Sequence, residues 1–364
     1  LWESGGAGPG MVRNEHPEEI GGFIYNPEVL KRIYDELAER AGVDFLLNTS
    51  LIDVTVESGT VTHAVCAAKS GIFAIAARIF VDATGDGDLA VMAGAEYEKG
   101  DAESRMQPGT LFSFWSGIDW SRVKIWRDGA RMAEAIEKNF FTVPDISLPG
   151  ILHTRSDCGW GNVGHAFDLD GTDEASITRA LVDCRRRLPE YEAYYRNFVP
   201  GCEKAALQLT APVLGVRETR RITGEYVLNV EDFKRQAVFD DEIGRYAYPV
   251  DLHSPRPCRE RKADDSFQTL RYRNPGESYG IPFRCLLPRT LENVLVAGRC
   301  VSTDRYMHGS LRVQPGCHIT GQAAGAAAAL AAQKNKTLRD IAIPELQRTL
   351  RKLGAFLPNF KERD

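Results

Sequence analysis

Polar side chains crowd a short span near the end of the chain: Asp304, Arg305, Tyr306, His308, Ser310, Arg312 and Gln314. A buried-strand pattern at 294–296 precedes them and ends at Gly298 and Arg299. A helix-forming stretch over 319–333 follows, and Gly321, Gly325 and a run of alanines leave its first turns almost bare. Backbone N–H groups and the positive dipole end of such a helix suit a flat anionic or polar ligand. Pro315 and Gly316 lie just ahead of this helix, with Gln322 and Ala323 at its start. Arg305 and Arg312 could clamp a carboxylate or polarise a carbonyl. His308 is the first candidate for a base, with His318 on the same loop. Cys317 stands where a thiolate would be favoured, but with no resolving cysteine nearby it is expected to pack. Gly321 and Gly325, one turn apart, also read as close packing of a helix on a sheet. That reading leaves the preceding polar groups unexplained.

A second constellation lies early. Gly85, Asp86, Gly87, Asp88, Leu89 and Ala90 fit G-x-G-x-x-A, after a strand at 79–82 and opening a helix at 89–93. A dinucleotide turn requires that context. Carboxylates at 86 and 88 would repel a diphosphate, and ribose or ribityl hydroxyls suit them better. The same two aspartates weigh against a nicotinamide dinucleotide here. The alternative is that Asp86 or Asp88 merely caps the helix. Arg217, Glu218, Arg220 and Arg221 read as an internal ion-pair network. Gly5, Gly6, Gly8 and Gly10 read as a surface loop, because no strand precedes them and the spacing is not GxGxxG. No Ser-His-Asp order appears, and the eight cysteines form no CxxC pair, so no metal is expected.

The elements that must position these groups follow from pattern. Residues 27–41 form a helix, with Asn26 as cap, Pro27 in the first turn and an apolar face of Val29, Leu30, Ile33, Tyr34 and Leu37. A strand is expected at 43–47. Three antiparallel strands follow at 51–57, 61–69 and 72–77, joined by turns at Ser58-Gly59 and Ser70-Gly71. The middle, 94–291, is less periodic; it holds a helix over 175–198 and every tryptophan but Trp2. The chain then returns to the first sheet at 294–296, with a last helix at 343–353. The implied organisation is a first part of a cofactor domain at 1–94, an inserted α+β substrate domain at 95–291, and the cofactor domain's C-terminal part at 292–364.

The 364 residues are 43% hydrophobic and 26% charged, with a formal charge of −5. No excess of Lys and Arg is available to neutralise phosphates, which argues against a nucleic-acid partner. No signal peptide or membrane span is visible. Scattered single cysteines fit a reducing cytoplasm.

Three blocks carry a family likeness: 81–88 (VDATGDGD), 214–222 (LGVRETRRI), and 293–299 (NVLVAGR) continuing to 321–325 (GQAAG). In this order they resemble the FAD-dependent oxidoreductase family of glutathione-reductase-like flavoproteins, over most of 20–335. The resemblance implies an α/β fold: an FAD-binding Rossmann-like sheet with an antiparallel β-meander. It implies that Thr84, Gly85, Asp86, Gly87 and Asp88 lie near the adenosine and pyrophosphate of FAD. Gly298 and Arg299 would approach the ribityl and pyrophosphate. Pro315, Gly316, Gly321, Gln322 and Ala323 would face the isoalloxazine pyrimidine edge. A helix N-terminus there would stabilise the negative charge of reduced flavin.

The implied activity is hydride transfer between flavin N5 and a small organic substrate. The family's opening strand, GxGxxG turn, helix and acid-ended strand have no counterpart in this sequence. The sheet is therefore expected to be incomplete and the N-terminus truncated. A homo-oligomer or partner chain would complete the FAD site; the alternative is a non-catalytic homologue or subunit.

Overall fold

A computed structural model describes residues 25–123, 129–146, 150–259 and 270–361. The glycines at 5–10 lie outside them. Helix α1 (Pro27–Arg40) starts as its sequence requires: the Asn26 side chain accepts the Glu28 N–H at 3.0 Å, and Pro27 occupies the first turn. Strands β1 (Ser50–Glu57), β2 (Thr60–Ala68) and β3 (Gly71–Ala76) form the expected antiparallel meander. Ser58 and Gly59 both take positive φ, 48° and 78°, as a tight two-residue hairpin turn needs.

Strand β4 (Phe80–Asp82) leads to helix α2 (Asp88–Met92) and strand β5 (Tyr97–Lys99). A second unit follows. Its strands are β6 (Ser113–Ser116), β7 (Gly150–Arg155), β8 (Cys158–Asn162) and β9 (Ala206–Thr210), in the sheet order β7-β8-β6-β9. Helices α3 (Gly129–Glu137) and α4 (Glu174–Phe198) accompany them, and Asp173 caps α4 by accepting Ser176 N–H at 2.8 Å. Leu111, Trp115, Ile151, Leu188, Tyr195 and Leu214 belong to a core of their own.

The chain then rejoins the first core through strand β10 (Arg220–Ile222), helix α5 (Val230–Lys234) and strands β11 (Glu242–Tyr246) and β12 (Tyr279–Pro282). Strand β13 (Val294–Val296) pairs in parallel with β4, setting Val294 beside Phe80 and Val296 beside Asp82. Helices α6 (Arg305–Leu311), α7 (Gln314–Lys334) and α8 (Ile343–Lys352) close the chain. The result is a mixed α/β fold with several small sheets.

Three expectations are corrected. Residues 43–47 form no strand: Phe45, Leu46 and Leu47 are exposed, and no described strand offers them a ladder. The apolar face of α1 is not buried: Tyr34 and Leu37 stay exposed, although Tyr34 touches His318 of α7. Gly321 and Gly325 do not pack α7 closely on a sheet; a Cβ at either would meet nothing within 4 Å.

Candidate functional site

Strands β4 and β13 end side by side, and each chain turns at a glycine in the left-handed region: Gly85 at φ 84° and Gly298 at φ 83°. Asp82, buried at the end of β4, organises the first turn. It accepts the Thr84 N–H and hydroxyl at 3.1 and 2.7 Å, and the Ala90 N–H at 2.9 Å. The Thr84 hydroxyl accepts the Asp88 N–H at 3.0 Å. Asp82 and Thr84 therefore take the first-turn donors of α2, and neither Asp86 nor Asp88 is its cap. Asp86 accepts from the Arg299 guanidinium at 2.6 Å and from the Thr219 hydroxyl at 2.7 Å. Asp88 accepts from Arg220 at 2.7 Å. The Arg299 guanidinium lies against Gly85, where a Cβ would approach its Cζ to 2.8 Å.

The polar span 302–318 is mostly helical rather than loop, with only 302–304 and 312–313 outside α6 and α7. Asp304 caps α6, accepting Met307 N–H at 2.7 Å, and burial pushes its carboxyl above the usual range. His308 is buried inside α6, and among the described residues neither ring nitrogen has a hydrogen-bond partner of good geometry. Burial, and then Arg312, Arg221 and Arg299, hold it well below the ordinary histidine pKa, so it is neutral near pH 7. Arg305 keeps a quarter of its side chain exposed, 4.0 Å from Glu218. Glu218 is buried and ion-paired to Arg221 at 2.8 Å. Arg217 donates to the Pro108 carbonyl at 2.6 Å, and burial brings its pKa down to about 10. Of the expected arginine network, Arg221 pairs with Glu218 and Arg220 with Asp88, whereas Arg217 bonds neutral acceptors, the Pro108 carbonyl and the Asn162 amide oxygen. Arg312 donates to the Asp251 carbonyl at 3.0 Å and lies 3.4 Å from its carboxylate.

Helix α7 starts at Gln314, not at 319. Its positive end is therefore formed by Gln314 to Cys317, and 321–323 lie in the second turn and beyond. Pro315 is exposed in the first turn. Gly316 is buried, and a Cβ there would clash with the Leu311 carbonyl, so its smallness serves the α6–α7 junction. Ala323 is in the core, and Gln322 turns to the Leu353 carbonyl at 3.2 Å. Thr320 ties the helix to the β13 turn by accepting Gly298 N–H at 3.0 Å. Tyr25 and Tyr34 reach this helix start from the other side, bonding Gln314 and His318.

The structure also assembles groups that sequence reading missed. His165 Nδ1 meets Asp145 Oδ2 at 2.7 Å, and its Nε2 meets His253 Nδ1 at 3.0 Å. His253 Nε2 lies 3.5 Å from Asp251 Oδ2. The two histidines are 88 positions apart, and no local pattern pairs them. Asp82 was the more legible omission, standing at a strand end two residues before Thr84. Among the described residues no group of three His, Cys, Asp or Glu side chains could hold a metal, and no helix is long and apolar enough to cross a membrane.

The sequence matches the family described as FAD dependent oxidoreductase over residues 4–350. No match was found among curated proteins. Among solved structures the chain is similar to a geranylgeranyl bacteriochlorophyll reductase-like protein from Thermoplasma acidophilum. The identity is 13% and the TM-score 0.45, over 95% of this chain and 64% of that one. It is also similar to p-nitrophenol 4-monooxygenase from Pseudomonas putida, at 11% identity and TM-score 0.38, over 92% of this chain and 56% of that one. L-proline dehydrogenase from P. horikoshii is a further similar structure, at 12% and 0.36, over 92% and 62%. The chain spans less than two thirds of the length of each.

Proposed function

The chain belongs to the FAD-dependent oxidoreductase family, and on that premise we propose that it oxidises or reduces a small organic substrate by two electrons. Bound FAD would supply the redox centre, accepting or giving a hydride at N5. The observation that carries this reading is a set of buried polar atoms with no hydrogen-bond partner of good geometry among the described residues. They are Nε of Arg299, Arg305 and Arg312 and both ring nitrogens of His308. A buried donor left unpaired costs about 1–3 kcal/mol, and His308 lies within the field of Arg299 and Arg312, so such a set suits a polar ligand. The group fits the surrounding backbone as well: a Cβ at Gly298 would meet only Cys317 Sγ, at 3.9 Å, and one at Gly321 nothing.

Arg299 and the Gly298 turn would hold the ribityl and pyrophosphate side, and the first turn of α7 would face the ring. Arg305 is the cation left for substrate, because its only close carboxylate among the described residues stands 4.0 Å away, whereas Arg312 is already bonded to Asp251. A substrate bearing a carboxylate or carbonyl suits it.

The test is uptake of FAD by the purified chain, read from its visible spectrum after gel filtration and from the flavin released on denaturation. Retained flavin is expected, with Arg299→Ala weakening retention and Arg305→Ala leaving it intact. A wild-type chain that emerges colourless after incubation with FAD would falsify the reading for this polypeptide.

A further inference from the structure

The pair His165 and His253 has no part in the reading above, yet its hydrogen bonding has a direction. The Asp145 carboxylate only accepts, so His165 Nδ1 carries the proton across that 2.7 Å link. His165 Nε2 is then a lone pair, and it accepts from His253 Nδ1 at 3.0 Å. The rings stand edge to face, 89° apart. In the neutral ring this leaves the His253 lone pair on Nε2, 3.5 Å from Asp251, whose carboxylate favours a proton arriving there. His165 is buried, whereas His253 keeps 17% of its side chain exposed.

We propose that His253 is the proton acceptor of the reaction, and that Asp145 and His165 are positioning residues that fix its tautomer. The proposal rests on the flavin-dependent reading above. In an oxidation, the substrate's O–H or N–H bond breaks and its proton bonds to His253 Nε2. The electron pair left behind forms the C=O or C=N bond. The hydrogen on that carbon leaves as hydride, with its bonding pair, to bound FAD.

Charge decides between His253 and His308. A proton on His308 would face Arg312, Arg221 and Arg299. A proton on His253 would be met by Asp251 and shared through His165 toward Asp145, against Arg217 near both rings and Arg187 near His165. The backbone at His253 is also tied toward the substrate cation. The His253 backbone N–H donates to Gln107 Oε1 at 3.0 Å, the Gln107 backbone N–H donates to Glu218 at 3.0 Å, and Glu218 lies beside Arg305.

Nitrogen-15 NMR of the histidine rings in the full chain tests the tautomer, with His165→Gln and His253→Gln assigning the signals. At pH 7 both rings should be neutral, His253 should be protonated on Nδ1, and a nitrogen–nitrogen coupling should link the pair. Asp145→Asn should shift His253 toward its Nε2–H form. A wild-type His253 protonated on Nε2, or a pair without coupling, overturns the proposal.

FAD retention by H253Q is measured alongside and should equal that of the wild type. A wild type that retains none marks failure of the cofactor reading instead, and the ring signals still judge the pair. Turnover is read on a panel of small 2-hydroxy and 2-amino acids with a dye acceptor. H253Q should lose roughly 10²–10⁴-fold in kcat with KM little changed. D145N should lose less, and His308→Gln should retain more activity than H253Q. The reverse order of the two histidine variants also overturns it.

Discussion

Asp82 makes three short hydrogen bonds from a buried carboxylate, to two backbone N–H groups and one hydroxyl. Asp82→Ala would strand all three donors at the end of β4. The expected loss is roughly 3 kcal/mol, and Asp82→Asn, which keeps one acceptor, should lose about half of that. Urea unfolding of the two variants measures both, and equal losses would contradict the role given to the second oxygen. The glycines of these turns were legible in the sequence because positive φ at positions 85, 87 and 298 is nearly reserved for glycine. The partners of the charged groups were not. Asp86 read as facing a ligand hydroxyl, yet it is bonded to Arg299 and Thr219, 213 and 133 positions away. Helical and strand periodicities act over a few residues and carry no information about such pairs.

At the level of elements, α7 shows why the start of a helix is harder to place than its body. Pro315 and Gly316 read as loop formers ahead of a helix at 319. Proline is well suited to a first helical turn, and Gly316 is tolerated there because the Leu311 carbonyl leaves no room for a side chain. Two glycines of one helix should therefore respond in opposite directions to the same substitution. Gly316→Ala must push α6 and α7 apart and destabilise the protein. Gly321→Ala has open space around its Cβ and should stabilise the FAD-free chain by up to about 1 kcal/mol through helix propensity. Thermal melts without and with FAD separate this gain from any loss of cofactor affinity. The meander was placed correctly because its strand pairs are sequential and its turns local. Residues 43–47 had strand composition, but a strand also needs a neighbour, and none is described.

For the whole molecule, the return of the chain at β13 was readable because an all-apolar run ending in glycine fits a covered parallel strand. The histidine pair could be seen only once the second unit and the loop after β11 had been brought together, and it has a consequence for global stability. Burial, opposed by Asp251, brings the His253 pKa down to about 4, against 6.5 for a free histidine. Between those values the unfolded chain binds a proton that the folded chain does not. Stability should therefore rise with pH across that window and be lost as pH falls from about 6.5 to about 4, by on the order of 3 kcal/mol from this group. Burial also lowers the pKa of His165 and His308, which act in the same direction. Glu242 and Asp304, raised by burial, oppose them. Asp251 is depressed, so its stabilisation is lost only below the ordinary carboxylate range. The diagnostic quantity is thus the difference in slope between wild type and H253Q in urea unfolding from pH 4.5 to 7.5. The wild type should lose stability more steeply toward low pH, so that the gap between the two proteins narrows as pH falls. Parallel curves would mean that His253 binds its proton equally in the folded and unfolded chains, which would contradict the depressed pKa and the protonation assigned to it.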